Sequence, residues 1–323
     1  MPKLRQNIVT GDWVVISPER SKRPEDYVAA SAPKRGIPAD CPFCLENKNA
    51  YKFSIAEAET DNIYVIPNKY PAYIKEDSVI SEGDDFYQDT KSIGGHEVII
   101  IKKHDLDIYE DGKALIKELF EVYKNRYLAY EEDPVNEYTL IIHNHGPEAG
   151  ASIEHPHSQL FSSAILPSYV QQELEGSKKY YEENGKCVFC EILRVEKENN
   201  GRIIYENEHF MVFTFFAARF PFEMWVMPKK HEPNFEQMSS ETQDSLADAM
   251  QNAIKKLNKT LNFPSFNYWV HTAPHRQAGV CDHYHWHVEI APRVSSFGGY
   301  ELGSGVVIDV VSPEAAAAFL KKE

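Results

Sequence analysis

One stretch of the sequence reads Gly150-Ala-Ser-Ile-Glu-His-Pro-His-Ser-Gln-Leu160 and sets His155, His157 and Gln159 at alternate positions. In an extended strand, side chains at i, i+2 and i+4 project from the same face. Imidazole and amide groups among apolar neighbours are costly unless each of them has a partner. We therefore predict that this stretch is a strand that carries a functional site.

A second stretch, Asp282-His-Tyr-His-Trp-His-Val-Glu-Ile290, mirrors the first. The interval from His104 to His155 is 155 − 104 = 51 residues, and the interval from His231 to His283 is 283 − 231 = 52 residues. Each copy also carries a Cys-x-x-Cys motif, at 41–44 and at 187–190, followed by Lys-Lys-His, at 102–104 and at 229–231. A segment with helical periodicity comes next in both copies, at 113–131 and at 240–257. This order predicts an internal duplication.

Apolar patterning predicts a strand before and after the central helix of each copy. Residues 166–184 are predicted to form a further helix that connects the copies and ends at Gly185. Ser240 and Gln243 form a capping-box pattern at the start of the second long helix. The sequence thus predicts an α+β fold with two tandem halves, residues 1–165 and 166–323, each an antiparallel sheet with flanking helices.

The duplication also repeats a set of metal-ligand residue types. Two cysteines on one knuckle and two histidines suit a closed, tetrahedral, structural zinc site. A redox pair would explain the cysteines but not the histidines placed twice in register. Because three histidines alternate in the second copy, either His283 or His285 can complete its set. The predicted ligands are Cys41, Cys44, His104 and His155 in the first site and Cys187, Cys190, His231 and His283 in the second.

His157 remains outside the metal set although it lies on the same strand face as His155. A neutral imidazole in this position can act as a nucleophile or as a general base. Gln159 offers an amide donor and Ser152 a hydroxyl for phosphoryl oxygens. Upstream, Arg20, Lys22 and Arg23 form a basic patch that fits either a phosphate contact or a solvated loop.

The net charge of −15 argues against nonspecific binding to nucleic acid or to a membrane surface. No apolar run approaches the ~20 residues that span a bilayer. The first residues, Met1-Pro-Lys-Leu-Arg-Gln, lack a signal-peptide core, so we expect a cytoplasmic protein. Five cysteines in such a chain indicate metal binding or chemistry rather than a disulfide framework.

Together these motifs resemble the galactose-1-phosphate uridylyltransferases, a branch of the histidine-triad superfamily. The resemblance rests on His155–Gln159, Thr10–Pro24, Cys41–Cys44, Pro67–Ala72, Asn144–Ser152 and Gly299–Glu301. It implies two histidine-triad-like halves and a ping-pong transfer in which His157 attacks the α-phosphorus of a nucleoside-diphosphate sugar and releases sugar 1-phosphate.

The resemblance also implies roles for further residues. Gln159 and Ser152 would hold the α-phosphoryl oxygens. The nucleotide and sugar would be contacted by Arg20, Arg23, Asn68, Asn144, Tyr300 and Glu301. A homodimer is expected from the resemblance alone.

Three features instead resemble the ADP-glucose phosphorylase branch. Ser158 stands where uridylyltransferases usually have glycine, and the second half carries its own Cys-x-x-Cys. Ser295, Ser296 and Val307 occupy places where hexose-binding Lys, Phe and Gln are expected. Hexose-1-phosphate uridylyl transfer is the first hypothesis, and adenylyl transfer by an ADP-sugar phosphorylase is the second. A histidine-triad nucleotide-binding hydrolase is the third, which Gln159 disfavours.

Overall fold

The computed structural model describes residues 1–20, 27–28, 41–47, 50–76, 81–83, 86–104, 107–275 and 282–322. Its strands are β1 Lys3–Gln6, β2 Trp13–Ile16, β3 Ile63–Pro67, β4 Ser81–Gly83, β5 Gln88–Thr90, β6 Gly94–Ile101, β7 Tyr138–His145, β8 His157–Ser163, β9 Ile203–Glu206, β10 Phe210–Thr214, β11 Met224–Pro228, β12 Phe266–His271, β13 His287–Pro292 and β14 Val307–Asp309. Its helices are α1 Ile108–Asp111, α2 Lys113–Glu131, α3 Ser168–Asn184, α4 Val188–Asn199, α5 Ser240–Leu261, α6 Gly299–Ser304 and α7 Pro313–Leu320.

A single nine-stranded sheet contains both copies of the duplication, in the order β3-β6-β8-β7-β12-β13-β11-β10-β9. All neighbouring strands in it are antiparallel. The α+β prediction is confirmed, but the two expected sheets are fused through β7 and β12, where Ile142 lies opposite Trp269. Fusion pairs two strands that would otherwise expose open sheet edges.

The strand register fixes which residues of the two halves correspond. Gln159 lies opposite Ile142 and Val98, and Glu289 lies opposite Trp269 and Trp225 in the same arrangement. Glu289 is therefore the counterpart of Gln159. His287 is the counterpart of His157 because each is the first residue of its strand. The intervals that pair His283 with His155 in the sequence therefore place the two stretches two residues out of register.

Helices α2 and α5 cover one face of the sheet. The apolar residues that give segment 240–257 its helical periodicity are fully buried in α5: Leu246, Met250, Ile254 and Leu257. The helix begins one residue earlier than the predicted capping box, because Ser239 Oγ accepts the hydrogen bond from the Thr242 backbone N–H at 3.3 Å. In the described ranges, no helix has both the length and the apolar character that a bilayer span requires.

The opposite face is covered unequally. Helices α3 and α4 and strand β2 pack against the second half in one apolar cluster, which includes Val14, Leu174, Phe189 and Trp225. Over the first half, a smaller cluster surrounds the Cys41–Cys44 knuckle. Gln159 remains only half-buried on this face. Gln159 is thus more exposed than its counterpart Glu289, which is completely buried.

The buried carboxyl group of Glu236 should make the free energy of unfolding depend on pH. Its side chain is 4% exposed, and burial raises its pKa to about 7. The folded state therefore keeps a proton that the unfolded chain loses near its usual pKa, so stability falls as the pH rises through this window. We expect Glu236→Gln to add roughly 1–3 kcal/mol to the free energy of unfolding at about pH 8. At about pH 4 the gain should vanish, which urea unfolding at both pH values will measure.

Candidate functional site

The site is built on the segment that enters β8. The backbone N–H of Ile101 donates to the carbonyl of Pro156 at 3.1 Å, which continues the strand pairing up to the functional residues. His157 Nδ1 lies 2.7 Å from the backbone carbonyl of His155. A carbonyl only accepts, so Nδ1 carries the proton and Nε2 keeps its lone pair. Burial lowers the pKa of His157 and favours this neutral form.

The first predicted metal set does come together. Cys41, Cys44, His104 and His155 place their ligand atoms within 4.8 Å of one another, and these residues could hold a metal ion. His155 Nδ1 lies 3.6 Å from each cysteine sulfur and 3.1 Å from His104 Nδ1.

The protonation state and orientation of the His155 ring suit a metal ligand. Its Nε2 donates to the Ile101 carbonyl at 2.5 Å, which leaves the Nδ1 lone pair directed at the cysteines. Burial lowers the pKa of His155 to about 4, so the ring stays neutral. The same residue belongs to the Cys₂His₂ set through its ring and contacts His157 through its carbonyl. His155 therefore connects this set to His157.

The second set also comes together, with one correction. Its members are Cys187, Cys190, His231 and His285, whereas His283 is not among them. His285 Nδ1 lies 3.6 Å from Cys190 Sγ. His287 Nδ1 lies 3.1 Å from the His285 carbonyl, as His157 does relative to His155. The nearly equal intervals of 51 and 52 residues were misleading, because the loop before His285 is longer in the second half.

This correction predicts a difference between two neighbouring histidines. His285→Asn should remove one equivalent of bound metal and lower the melting temperature, because it deletes a ligand of the second set. His283→Asn should keep the full metal content, since that ring lies outside the set. Elemental analysis of both purified variants measures the outcome. Metal loss in His283→Asn alone would contradict the structural assignment.

A third buried group occupies the position in the second half that corresponds to His157. It consists of Glu173, His271, His287 and Glu289, whose ligand atoms also lie within 4.8 Å of one another. Burial lowers the pKa of His287, but the carboxylates of Glu173 and Glu289, 3.7 and 3.5 Å from its Nε2, raise it to about 10. Arg219 donates to Glu289 at 2.8 Å. These opposite charges compensate one another inside the protein.

The same position is closed to ligands. The Trp225 ring stacks on His287 with ring centroids 4.5 Å apart. Glu173, from α3, lies over the strand and accepts from Tyr284 Oη at 2.8 Å. His287 and Glu289 are both completely buried. The counterpart of the His157 site is thus a sealed ionic cluster, and the two halves differ where a substrate would bind.

The predicted phosphate-side residues lie around His157 to different degrees. Gln159 shares its strand face, and Asn144 lies on the same face of the neighbouring β7. Asn267 Nδ2 donates to Asn144 Oδ1 at 2.7 Å, so the second half orients an amide of the first. Ser152 is exposed in a bend before the strand.

Four other predicted contact residues do not join this group: two lie on a separate helix, and two lie wholly or partly outside the described residues. Tyr300 and Glu301 lie on α6, where Glu301 Oε2 accepts from the Gly298 N–H at 2.9 Å. Within the described residues, no hydrogen bond joins either of them to β8. Arg20 ends a 3₁₀ turn, but its side chain and the whole of Arg23 lie outside the described part of the chain.

Sequence reasoning missed two histidines near the site because neither belongs to a repeated motif. His96 Nε2 lies 2.9 Å from Gln159 Oε1. His143 Nδ1 lies 2.9 Å from Ser158 Oγ on the helix-covered face, where Ser158 also bonds Tyr123. The available signal for His96 was its position directly before the predicted apolar strand Glu97–Ile101. Ser158 thus ties the functional strand to α2, which a glycine could not do.

Comparison with known proteins gives the family of the chain. The family model for the galactose-1-phosphate uridyl transferase N-terminal domain matches residues 1–167, and that for the C-terminal domain matches residues 173–306. ADP-glucose phosphorylase from Arabidopsis thaliana is 31% identical over 99% of this chain and 93% of its own length. Galactose-1-phosphate uridylyltransferase from Thermotoga maritima is 28% identical over 100% of this chain and 98% of its own length.

Solved structures give the same result. The crystal structure of an ADP-glucose phosphorylase from Arabidopsis thaliana with bound ADP-glucose superposes with a TM-score of 0.83 and covers 100% of this chain and 99% of that one at 28% identity. A uridylyltransferase structure superposes with a TM-score of 0.76 at 25% identity, covering 100% of this chain and 98% of that one. The fold and the site thus define a nucleotidyltransferase. The chain belongs to the galactose-1-phosphate uridyl transferase family.

Proposed function

We propose that this enzyme transfers a uridylyl group from a UDP-hexose to a hexose 1-phosphate through a covalent intermediate on His157. The observation that carries the proposal is the tautomer of His157. Its Nδ1–H is committed to the His155 carbonyl at 2.7 Å, so its Nε2 lone pair is available for attack. A nucleophilic imidazole requires this arrangement.

In the first half-reaction, Nε2 of His157 forms a bond to the α-phosphorus, and the bond from that phosphorus to the bridging oxygen breaks. The electron pair leaves with the bridging oxygen as hexose 1-phosphate. The ring becomes a nucleotidyl imidazolium, and its Nδ1–H keeps donating to the His155 carbonyl. Gln159 and Ser152 supply donors to the α-phosphoryl oxygens, with Asn144 alongside them.

In the second half-reaction, a phosphate oxygen of the acceptor hexose 1-phosphate attacks the same phosphorus. The phosphorus–nitrogen bond breaks, and its electron pair returns to Nε2. No proton has to leave the ring in either step. A neutral His157 is therefore regenerated for the next cycle, as a ping-pong mechanism requires.

Both Cys₂His₂ sets are proposed to hold structural zinc. A tetrahedral zinc site puts its nitrogen and sulfur ligands about 3.6 Å apart and two nitrogens about 3.4 Å apart. The spacings around His155, from 3.1 to 3.6 Å, fit this geometry. Four protein ligands leave no open position for water, so zinc would fix the fold around His155 and His285 rather than take part in the transfer.

We propose that only the first half of the chain carries out the transfer reaction. Residues 1–165 form the catalytic half, and residues 166–323 form a half whose equivalent pocket is sealed by Glu173 and Trp225. Arg20, Arg23 and Asn68 are assigned to the nucleotide, and Tyr300 and Glu301 to the hexose. Because Tyr300 and Glu301 lie apart from β8, we further propose a homodimer, which light scattering can test.

Adenylyl transfer from an ADP-sugar is the second candidate function. The specific observation in its favour is the similarity to the Arabidopsis ADP-glucose phosphorylase over 99% of this chain. His157 and Gln159 would act in the same way in this reaction. The two candidates differ in the base that is bound and in the phosphate acceptor.

Isotope exchange separates these candidates. With only a nucleotide sugar and labelled glucose 1-phosphate present, the proposed enzyme should move label into UDP-glucose, because the first half-reaction is reversible. Label entering ADP-glucose instead would establish the second candidate. Absence of exchange with both sugars, combined with slow release of the free nucleotide, would replace the transferase by a hydrolase.

A further inference from the structure

His96 lies where two predicted substrate-contact segments meet. Its Nδ1 accepts the hydrogen bond from the Ala72 backbone N–H at 3.1 Å. Its Nε2 lies 2.9 Å from Gln159 Oε1. Ala72 closes the turn that carries Asn68, and Gln159 follows His157 on β8. One imidazole therefore joins the turn to the functional strand.

These contacts determine which atoms carry protons. A backbone N–H only donates, so Nδ1 of His96 must be unprotonated and Nε2 must carry the hydrogen. Nε2–H then donates to the amide oxygen of Gln159. The ring cannot turn over easily, because it stacks on Phe161 with centroids 4.0 Å apart. Burial also lowers the pKa of His96, so the neutral ring persists.

The consequence for Gln159 is a fixed amide orientation. With Oε1 held by His96, the two N–H donors of Gln159 point away from His96 and remain available to a ligand. The reversed amide would place a carbonyl oxygen where a phosphoryl oxygen has to bind, and the two oxygens would repel each other. Side-chain amides have no strong intrinsic preference between these two orientations. His96 supplies the preference.

The same residue organises the turn that carries Asn68. The Asn68 backbone N–H donates to the His96 carbonyl at 2.8 Å, and Asn68 Oδ1 accepts from the Tyr70 N–H at 2.9 Å. Asn68 Nδ2 lies 3.1 Å from His96 Nε2, so the imidazole contacts the Asn68 side chain as well as that of Gln159.

We propose that His96 is a positioning residue for nucleotidyl transfer, which orients the amide of Gln159 as a donor to the α-phosphoryl group. This inference rests on the proposed function of His157 and Gln159. His96 itself touches no reacting atom, so its effect must pass through Gln159. That requirement distinguishes positioning from a general contribution to folding.

A double-mutant cycle tests this requirement. The rate of covalent nucleotidylation is measured in a single turnover, on metal-loaded full-length protein at saturating nucleotide sugar. His96→Phe should lower this rate about 10- to 100-fold, and Gln159→Ala should lower it by a similar or larger factor. The double variant should be no slower than Gln159→Ala, because the same interaction is lost. Losses that multiply would overturn the proposal.

Two matched variants separate positioning from damage. His96→Gln keeps a donor within reach of Gln159 and should recover part of the rate lost in His96→Phe. His275→Phe makes the same change at another buried histidine, which contacts Thr139 at 2.8 Å and not Gln159. It should keep the wild-type rate. Equal losses in His96→Phe and His275→Phe would also overturn the proposal.

Nitrogen NMR tests the proposed tautomer of His96 without relying on a measurement of nucleotidyl transfer. In the wild-type protein, His96 should show a protonated Nε2 and an unprotonated Nδ1 at neutral pH, and Gln159→Ala should shift the Nε2–H resonance. The opposite tautomer would refute the inference even in an active enzyme. If no nucleotide sugar labels the wild-type protein, the proposed function is wrong. The protonation state of His96 measured by NMR still tests its hydrogen bond to Gln159 in that case.

Discussion

His157→Asn should lower the rate of nucleotidylation by about 10⁴-fold or more, because the residue that forms the bond to phosphorus is removed. The amide N–H of asparagine can replace His157 Nδ1–H as donor to the His155 carbonyl. The fold, the metal content and the binding of the nucleotide sugar should therefore persist. Rapid-quench measurement of covalent nucleotide will give the rate.

His283→Asn is the matched control for this variant. His283 lies outside both Cys₂His₂ sets and precedes the strand of the second half. The same change there should leave nucleotidylation within about twofold of wild type, as expected for a substitution away from the site. A His157→Asn protein that is still labelled at the wild-type rate would place the nucleophile elsewhere in the chain.

The second large effect concerns the two metal sets. Cys44→Ala should remove one metal and slow nucleotidylation roughly 100-fold, because His155 both belongs to this set and holds His157 by its carbonyl. Cys190→Ala makes the same change in the second set. It should also remove one metal and lower the melting temperature, but its effect on the rate should be much smaller.

The comparison of the two cysteine variants is made at a temperature where both proteins are folded. Elemental analysis gives the metal content, circular dichroism gives the melting temperature, and rapid quench gives the rate. Equal rate losses in the two variants would mean that metal acts on overall stability alone. The link from the first metal set through His155 to His157 would then be wrong.

The sequence predicted the parts of the site that are close together along the chain or repeated in it. The alternation of His155, His157 and Gln159 follows from strand geometry, and the knuckle residues Cys41 and Cys44 follow from ligand spacing. The long helices α2 and α5 were predicted from their apolar periodicity. These features depend on local backbone geometry, which a sequence specifies directly.

Features that depend on strand register were not predicted. The pairing of β7 with β12, which fuses the halves, involves residues more than 100 positions apart. The choice of His285 over His283 depends on a loop length that spacing alone cannot resolve. His96 reaches Gln159 only because β6 pairs with β8. Each of these contacts is set by tertiary packing.

The two halves of the fused sheet differ at the positions that correspond to His157 and Gln159. Both halves keep a strand that begins with histidine, but Gln159 corresponds to Glu289, and the open face over β8 corresponds to a face covered by α3. Two carboxylates beside His287 raise its pKa to about 10 and hold it as a cation. A cationic, buried imidazole cannot attack phosphorus. This difference supports the proposal that His157 is the nucleophile.

The most direct test of His157 as the covalent nucleophile is the intact mass of the wild-type protein after incubation with UDP-glucose or ADP-glucose and no acceptor. We predict a mass gain equal to one nucleoside monophosphate per chain, located by peptide mapping on His157 and removed by adding hexose 1-phosphate. UMP is expected for the first proposed function, and AMP for the second. No mass gain with either sugar, or a gain located on another residue, would contradict the proposed mechanism.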